Sequence, residues 1–236
     1  MFTERTTAFR RRFGAASLLV AAALFSVAEP LFPTEGDDPA GELAANAAHH
    51  GQLLAAIFCY LVASILFIPA FFGLMNPVRG RGTVLTHVGG GLALLGNALA
   101  GLALTGLQFV EYEASAPGVD RASLIPFIQH SFRDSALAPL PMGHYLFALG
   151  IVLLAVGLFR ARAGYRWAAI CLGLAPLADM VLGTVAGGIV IDVLTDGLLV
   201  AGAAGLAWWQ WTTTSAAWEG RQVSAQPAPE SAAIPA

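Results

Sequence analysis

The sequence has few charged residues, no lysine and only two cysteines. Charged side chains make up 11% of its 236 residues, whereas a soluble domain carries about 25%, so the composition argues against a soluble fold. Cys59 and Cys171 both lie inside apolar runs, which predicts free, interior thiols and no disulfide. A hydrophobic content of 57% and a mean hydropathy of +0.69 indicate an integral membrane protein.

The short motifs that mark common active sites are also missing. The sequence contains no HExxH, no paired CxxC, no nucleophile elbow and no phosphate loop. The glycines of VGGGLALLG (88–96) belong to an apolar stretch, so they do not predict a phosphate cradle. We expect no nucleic-acid partner.

Six apolar stretches are long enough to cross a bilayer, which takes about 20 residues of helix. They cover residues 13–32, 52–75, 83–109, 142–160, 166–187 and 189–211. Membrane strands would be shorter and would alternate in polarity. We therefore expect an all-α polytopic membrane protein, with a six-helix transmembrane domain over 13–218, a cytoplasmic segment over 1–12 and a disordered cytoplasmic tail over 219–236.

The first apolar stretch also resembles a signal peptide. It has a basic start, an apolar core and Ser26-Val27-Ala28, which is typical of a cleavage site. Because the apolar run continues to Phe32, the sequence favours a retained first helix over cleavage after Ala28.

The arginines predict the orientation. Ten of the twelve fall on one side of the predicted spans, and only Arg121 and Arg133 fall on the other. The positive side is normally cytoplasmic, and all five tryptophans lie at the same helix ends, as an interfacial belt would place them. With its abundant Arg, Ala and Gly, the chain is expected in a bacterial inner membrane, with both termini in the cytoplasm and the lipid bilayer as its surroundings.

The longest outer loop, over residues 112–141, contains SLIPFIQHSFRDSAL (123–137). Its apolar residues Leu124, Phe127 and Ile128 share one side of a helix. This pattern predicts a short interfacial helix that lies over the bundle.

Three aspartates occupy the last two predicted spans. Asp179 is eight residues before Gly187 and Asp196 is eight residues after Gly188, so a turn at Gly187-Gly188 would place both carboxylates about 12 Å along their helices from the turn. Polar groups at such depth usually face the protein interior. We expect Asp179, Asp196 and Asp192 to bind a ligand.

Each aspartate also has a structural interpretation. If the turn extends to about residue 191, Asp192 becomes a helix cap or first-turn residue, stabilised by free backbone N–H groups. Asp179 follows Pro176, which frees a backbone carbonyl one turn earlier, so a kink beside a carboxylate is consistent with a cavity but does not require one.

Histidines near the outer helix ends suggest a metal site. His50 and His144 are the best candidates for a divalent metal, with carboxylates on neighbouring helices. None of the spacings is a recognised metal motif, and a boundary histidine is most often an ordinary amphipathic residue. Haem would need axial histidine pairs within the spans, and His87 lacks such a partner, so no haem is expected and no cofactor is predicted beyond that metal.

The third predicted span carries small or polar residues every four positions: Gly89, Ala93, Asn97, Gly101 and Thr105. Such a ribbon lets helices pack closely, with Asn97 bonding across the seam. The alternative is a cavity wall in which Asn97 contacts a ligand.

The run LLAAIFCYLVASILFIPAFFGLMNPVRGRGTVLTHVGGGLALLGNALAGLAL (53–104) joins an apolar helix, a proline-containing exit, an arginine-bearing loop and a glycine-rich helix. In these features the chain resembles multi-pass integral membrane proteins of actinobacteria that have no assigned activity. The resemblance implies a compact inner-membrane bundle, and it implies no functional residue.

Three functions remain open from the sequence. The first is a binding or transport-associated protein that takes a small polar, cationic or proton-linked ligand from the outer side into a cavity lined by the aspartates and Asn97. The second is an accessory or regulatory subunit of a membrane protein partner, without chemistry of its own. The third is an intramembrane acid–base enzyme that acts on a lipid or isoprenoid.

Overall fold

The computed structural model describes residues 4–33, 38–133, 140–185 and 189–219, and all regular structure in these ranges is helical. The all-α prediction is confirmed. Ten α-helices occur in the described ranges. They are α1 Glu4–Ala28, α2 Pro39–Ala48, α3 His50–Met75, α4 Thr83–Gly96, α5 Thr105–Ala114, α6 Arg121–Arg133, α7 Met142–Ala161, α8 Arg166–Val185, α9 Ile189–Thr212 and α10 Ser215–Trp218.

Five helical stretches of the described chain are long and apolar enough to cross a membrane. They are Glu4–Leu31, His50–Met75, Thr83–Ala114, Met142–Ala161 and Ile191–Thr212. The fifth predicted span, residues 166–187, corresponds to α8, which is not among these five stretches, so the count of six spans stays a prediction. The predicted Gly187-Gly188 turn and residues 220–236 of the predicted tail lie outside the described residues.

The long helices form a closed ring. α1 packs between α3 and α9, α8 packs between α9 and α7, and α7 packs along α4, while α3 contacts α4 and α5 to complete the circle. One end of the ring carries exposed arginines at its loops, which we call the arginine-rich end: Arg79, Arg81, Arg160, Arg162 and Arg166. The opposite, acidic end carries Glu29, Glu42, Glu111, Asp120 and Asp192.

The half of the ring next to the arginine-rich end is filled by side chains. Phe71 and Leu74 of α3, Leu154 and Leu158 of α7 and Leu206 of α9 are all buried in one apolar cluster. Close packing of this kind leaves little room for water, so the interior is sealed at that end.

Glycines bring α4 and α7 into backbone contact. A Cβ added at Gly150 would lie 2.7 Å from the Ala93 Cα and 2.8 Å from the Gly89 carbonyl oxygen, and one added at Gly96 would lie 2.7 Å from the Phe147 Cα. No side chain fits at these positions. The glycine-rich sequence therefore produces a tight helix pair, as membrane helices without a hydrophobic driving force require.

Between α4 and α5 the chain continues as a π-helix over Asn97–Leu104. The wider π turn rotates the ribbon of small residues, so that Gly89 and Ala93 face α7 whereas Gly101 faces Ser64 of α3. Asn97 is buried, and its Nδ2 donates a 2.8 Å hydrogen bond to the Ser64 carbonyl oxygen. The predicted close packing is present, but on two neighbouring helices instead of one.

Two short helices cover the acidic end. α6 begins two residues before the predicted interfacial segment 123–137 and overlaps it as far as Arg133. Its Leu124 and Ile125 pack with Leu43 of α2, whereas Phe127, predicted on the same side as Leu124, is exposed. We did not predict α2. The sequence feature that specifies the start of α2 is Asp38-Pro39. The Asp38 carboxylate accepts a 2.6 Å hydrogen bond from the Gly41 N–H, and proline is favoured in the first turn of a helix.

The predicted boundary between a cytoplasmic segment and a span at residue 12 does not coincide with a structural break. α1 is continuous from Glu4, and Arg11 is buried at the arginine-rich end. Its guanidinium donates to the carbonyl oxygens of Gln210 and Trp211 near the end of α9, the latter at 2.8 Å. A cation there compensates the negative end of the helix dipole.

Candidate ligand-binding cavity

A partly open cavity of about 790 Å³ occupies the half of the ring next to the acidic end. Its wall is formed by α1, α3, α7, α8 and α9 together with the π-helix and α5, whereas no described residue of α4 lines it. The polar residues that line it are Glu29, Tyr60, Gln108, His144, Tyr145, Asp179, Thr195 and Asp196. This size is typical of sites that enclose a small organic molecule.

Three carboxylates from three parts of the chain face this cavity. Asp179 comes from the middle of α8, Asp196 from α9, and Glu29 from the 3-10 turn Glu29–Leu31 that extends α1. Asp192 does not line the cavity, but it lies close enough to interact electrostatically with Glu29, Asp179 and Asp196. The arrangement therefore concentrates negative charge in one pocket.

Local structure explains how these groups reach the cavity. α9 begins at Ile189, so Asp192 lies in its first turn and not at its cap, and Thr195 Oγ1 donates a 3.0 Å hydrogen bond to the Asp192 carbonyl oxygen. Asp196 is one turn further and on the same face as Asp192. On α8, Pro176 lines the cavity one turn before Asp179 and leaves the backbone there without one intrahelical hydrogen bond.

Positive charge is scarce around this site. Among the described residues that line the cavity, His144 is the single group that can become cationic, and its Nδ1 lies 3.2 Å from the Pro141 carbonyl oxygen. No arginine is among the described residues of the cavity wall. Glu29 and Asp179 are exposed in the partly open cavity and Asp196 is half-buried. Protons, cations or hydrogen bonds compensate carboxylates that are partly shielded from water, so the cavity is suited to a positively charged ligand.

Two uncharged polar groups beside the cavity lack partners. The Gln108 Oε1 is buried without a hydrogen bond, although Gln108 lines the cavity. The Ser26 hydroxyl lies next to the Asp196 carboxylate but makes no hydrogen bond of acceptable geometry. Buried polar atoms without partners are uncommon and normally bind water or a ligand.

The apolar part of the wall is partly aromatic and partly aliphatic. The Phe25 ring lies 5.1 Å from the Tyr60 ring and 6.4 Å from the Phe147 ring, measured between centroids. Phe32 meets Tyr60 edge-on at 6.1 Å. All four rings line the cavity, so it combines carboxylates with a group of neighbouring aromatic rings.

Asn97 and His50 lie apart from this group of residues. Asn97 lies behind the wall in a small void next to Tyr60 and His144, with its amide bonded to α3. His50 stacks on Tyr112 at 3.9 Å, and its Nε2 lies 3.0 Å from the Tyr112 carbonyl oxygen. His144 lines the cavity and His50 does not.

A metal site is not assembled in the described part of the chain. No three side chains of His, Cys, Asp or Glu there are grouped so that they could hold an ion. The two histidines that we singled out for a metal belong to different surroundings, and a divalent metal remains a prediction.

Sequence reasoning did not select several residues of the wall. Glu29 and Gln108 were visible only as polar residues near helix ends, and Tyr60 appeared to be part of an apolar run. Their shared location depends on the ring, which places residues of α1, α3 and α5 around the same cavity as residues of α8 and α9. The one local sequence feature that pointed to this site was Glu29-Pro30, because this pair places a carboxylate where the first apolar helix should end.

Comparisons of the chain with family models, with curated proteins and with solved structures find no match. The functional assignment therefore depends on the cavity itself: its volume, its carboxylates and its aromatic wall.

Proposed function

We propose that this protein binds a small cationic ligand in the cavity at its acidic end, in a role associated with transport across a bacterial inner membrane. The observation that carries the proposal is the placement of Glu29, Asp179 and Asp196 on three separate parts of the ring around one cavity. Charged groups are expensive within a membrane protein unless they serve a ligand, an ion or a proton.

The distribution of arginines supports entry from outside the cell. Exposed arginines concentrate at the end of the ring that is closed by the apolar cluster, and the positive end normally faces the cytoplasm. In this orientation both termini are cytoplasmic, and the cavity is accessible from the opposite side while the cytoplasmic half is sealed.

The first experiment measures binding. Protein purified in detergent is heated in the chlorides of sodium, calcium, tetramethylammonium and benzyltrimethylammonium at constant ionic strength, and the unfolding midpoint is recorded. A cation present at 100 times its Kd should stabilise the fold by about 2.7 kcal/mol, which corresponds to a rise of about 5–10 °C for a chain of this size.

The double variant Asp179→Asn, Asp196→Asn should lose this rise, because it removes charge while keeping side-chain size. The matched control is Asp120→Asn, which removes an exposed charge at the same end but outside the cavity. No midpoint shift with any of the four cations would refute the proposal, and so would an equal shift in the double variant.

The second experiment measures access. In a Cys59→Ala, Cys171→Ala background, Asp179→Cys and Asp196→Cys should react in intact cells with a charged thiol reagent added outside. Ser64→Cys is the control, since Ser64 is buried between α3 and the π-helix. Labelling only after the cells are broken open would contradict entry from outside.

Retention of a co-purifying membrane protein, together with no cation effect, would instead support the accessory-subunit function. No observation on the cavity favours that alternative over ligand binding, because a purely structural contact would not leave 790 Å³ between the helices.

A further inference from the structure

The chemistry of the cavity wall narrows the class of cation. A bare metal ion is bound by several oxygen or nitrogen ligands that converge on one point, typically at about 2.0–2.6 Å from the ion. The described residues provide no such convergence, and a cavity of about 790 Å³ is far larger than an ion needs.

The aromatic wall supplies the missing interaction. Phe25, Tyr60 and Phe147 form a continuous aromatic group on the side of the cavity built by α1, α3 and α7. Ring faces attract cations that are weakly hydrated, above all alkylated ammonium groups. The same rings also bury apolar surface, which a hydrated inorganic ion does not offer.

Two of the three carboxylates come from other helices of the wall, whereas Glu29 lies at the end of α1. Asp179 and Asp196 belong to α8 and α9, which form the wall next to α1 and α7, and Ile151, Ala175 and Leu199 line the cavity deeper toward the sealed half. The cavity thus offers a negative rim, an aromatic side and an apolar floor, which suits a molecule with one charged end and one apolar end.

We infer that the ligand is an organic ammonium ion with an apolar, preferably aromatic, body. Its charged nitrogen lies among Asp179, Asp196 and Glu29, and its body lies against Phe25 and Phe147. This inference rests on the proposed function and narrows it, since it states which cations the cavity accepts.

Isothermal titration in nanodiscs of zwitterionic lipid tests the inference with three probes. Benzyltrimethylammonium has both the charge and the aromatic body, tetramethylammonium has only the charge, and benzenesulfonate has the aromatic body with the opposite charge. We expect benzyltrimethylammonium to bind at least about tenfold more tightly than tetramethylammonium, a factor typical of one buried aromatic contact, and benzenesulfonate not to bind.

Phe147→Leu should reduce the preference for benzyltrimethylammonium over tetramethylammonium and leave the affinity for tetramethylammonium within twofold. Phe25→Leu is a second variant with the same expected result, should the first not fold. Phe72→Leu is the matched control, because Phe72 is an exposed phenylalanine of α3 that does not line the cavity.

The outcomes separate the two proposals. If sodium or tetramethylammonium binds as tightly as benzyltrimethylammonium, the organic-cation inference is wrong and the proposed function stands. If benzyltrimethylammonium binds equally well to the Asp179→Asn, Asp196→Asn variant, or if benzenesulfonate binds as tightly, the signal reflects the aromatic surface or the bilayer and the inference is overturned. If no cation binds, both proposals fall.

Discussion

The glycine-mediated contact between α4 and α7, called the seam below, allows the effect of a substitution on stability to be estimated from interatomic distances. Gly150→Ala places a methyl group 2.7 Å from the Ala93 Cα and 2.8 Å from the Gly89 carbonyl oxygen, whereas ordinary contact begins at 3.4 Å. Both neighbours are backbone atoms of a rigid helix, so they cannot turn away as a flexible side chain would. The Ala93 backbone nitrogen lies closer still, so the helices must separate by more than about 0.7 Å.

The matched control is Gly91→Ala on α4. Gly91 is exposed, and an added Cβ there meets nothing within 4 Å. Replacing a helical glycine by alanine favours the helix by up to about 1 kcal/mol, so the control should be neutral or slightly stabilised. Overpacking costs about 1–3 kcal/mol, and 1 kcal/mol corresponds to about 2–4 °C for a chain of this size, so Gly150→Ala should unfold at a midpoint about 2–12 °C below that of the control.

The assay is thermal unfolding of both variants in the same detergent, followed by tryptophan fluorescence and by the amount of monodisperse protein that remains. The displaced segment also carries Phe147 and Ala148 of the cavity wall, so Gly150→Ala should weaken cation binding as well. Equal midpoints for Gly150→Ala and Gly91→Ala would show that the seam is not packed at backbone distance, and the reasoning would fail.

Three further predictions concern other contacts. Asn97→Ala should lower stability to unfolding by about 0.6–1.7 kcal/mol, since it removes the buried hydrogen bond to the Ser64 carbonyl oxygen; an unchanged unfolding curve would contradict this. Arg11→Gln should cost about 1.5–3 kcal/mol, because it leaves carbonyl groups at the end of α9 without their charged donor, whereas the exposed Arg12→Gln should cost less than about 1 kcal/mol. Partial burial raises the pKa of Glu42 above its ordinary value of 4.5. The folded state therefore holds that proton more tightly, and the packing of α2 should be firmest below pH 4.5 and should weaken as the pH rises through the raised pKa. Hydrogen exchange of residues 39–48, corrected for intrinsic rates, should show this trend and Glu42→Gln should abolish it, whereas protection that increases with pH would contradict the assignment.

The long helices could be predicted because length and hydropathy alone determine them. A run such as 52–75 contains no charged residue, so the bilayer-length criterion locates it to within a few residues of α3. α2 was missed because its ten residues are too short for that criterion. It is specified instead by an aspartate cap and a proline, which are local signals that a search for apolar runs does not weigh.

The composition of the cavity was less accessible to sequence reasoning. The depths of Asp179 and Asp196 follow from counting residues along two neighbouring helices, and both side chains line one cavity. Glu29 and Tyr60 belong to parts of the chain distant in sequence from α8 and α9, and nothing local indicates that they line the same cavity as Asp179 and Asp196. His50 is a residue that the sequence selected but the cavity does not include. Its position at the start of α3 suggested a metal ligand, yet its ring stacks on Tyr112. Which face a membrane helix turns inward depends on its neighbours, and one sequence does not specify them.

The π-helical turns at Asn97–Leu104 give this stretch a tolerance that the α-helices on either side of it lack. A π turn holds about one residue more than an α-helical turn. Removing one residue between 97 and 104 would let the stretch return to α-helical winding, so Gln108 and the rest of α5 would stay close to their present orientation. A deletion inside α4 or α5 would meet no wide turn, and the residues that follow in that helix would rotate by about 100° about its axis. The acidic end should therefore tolerate the loss of one residue from the π-helix better than the loss of one residue from α5.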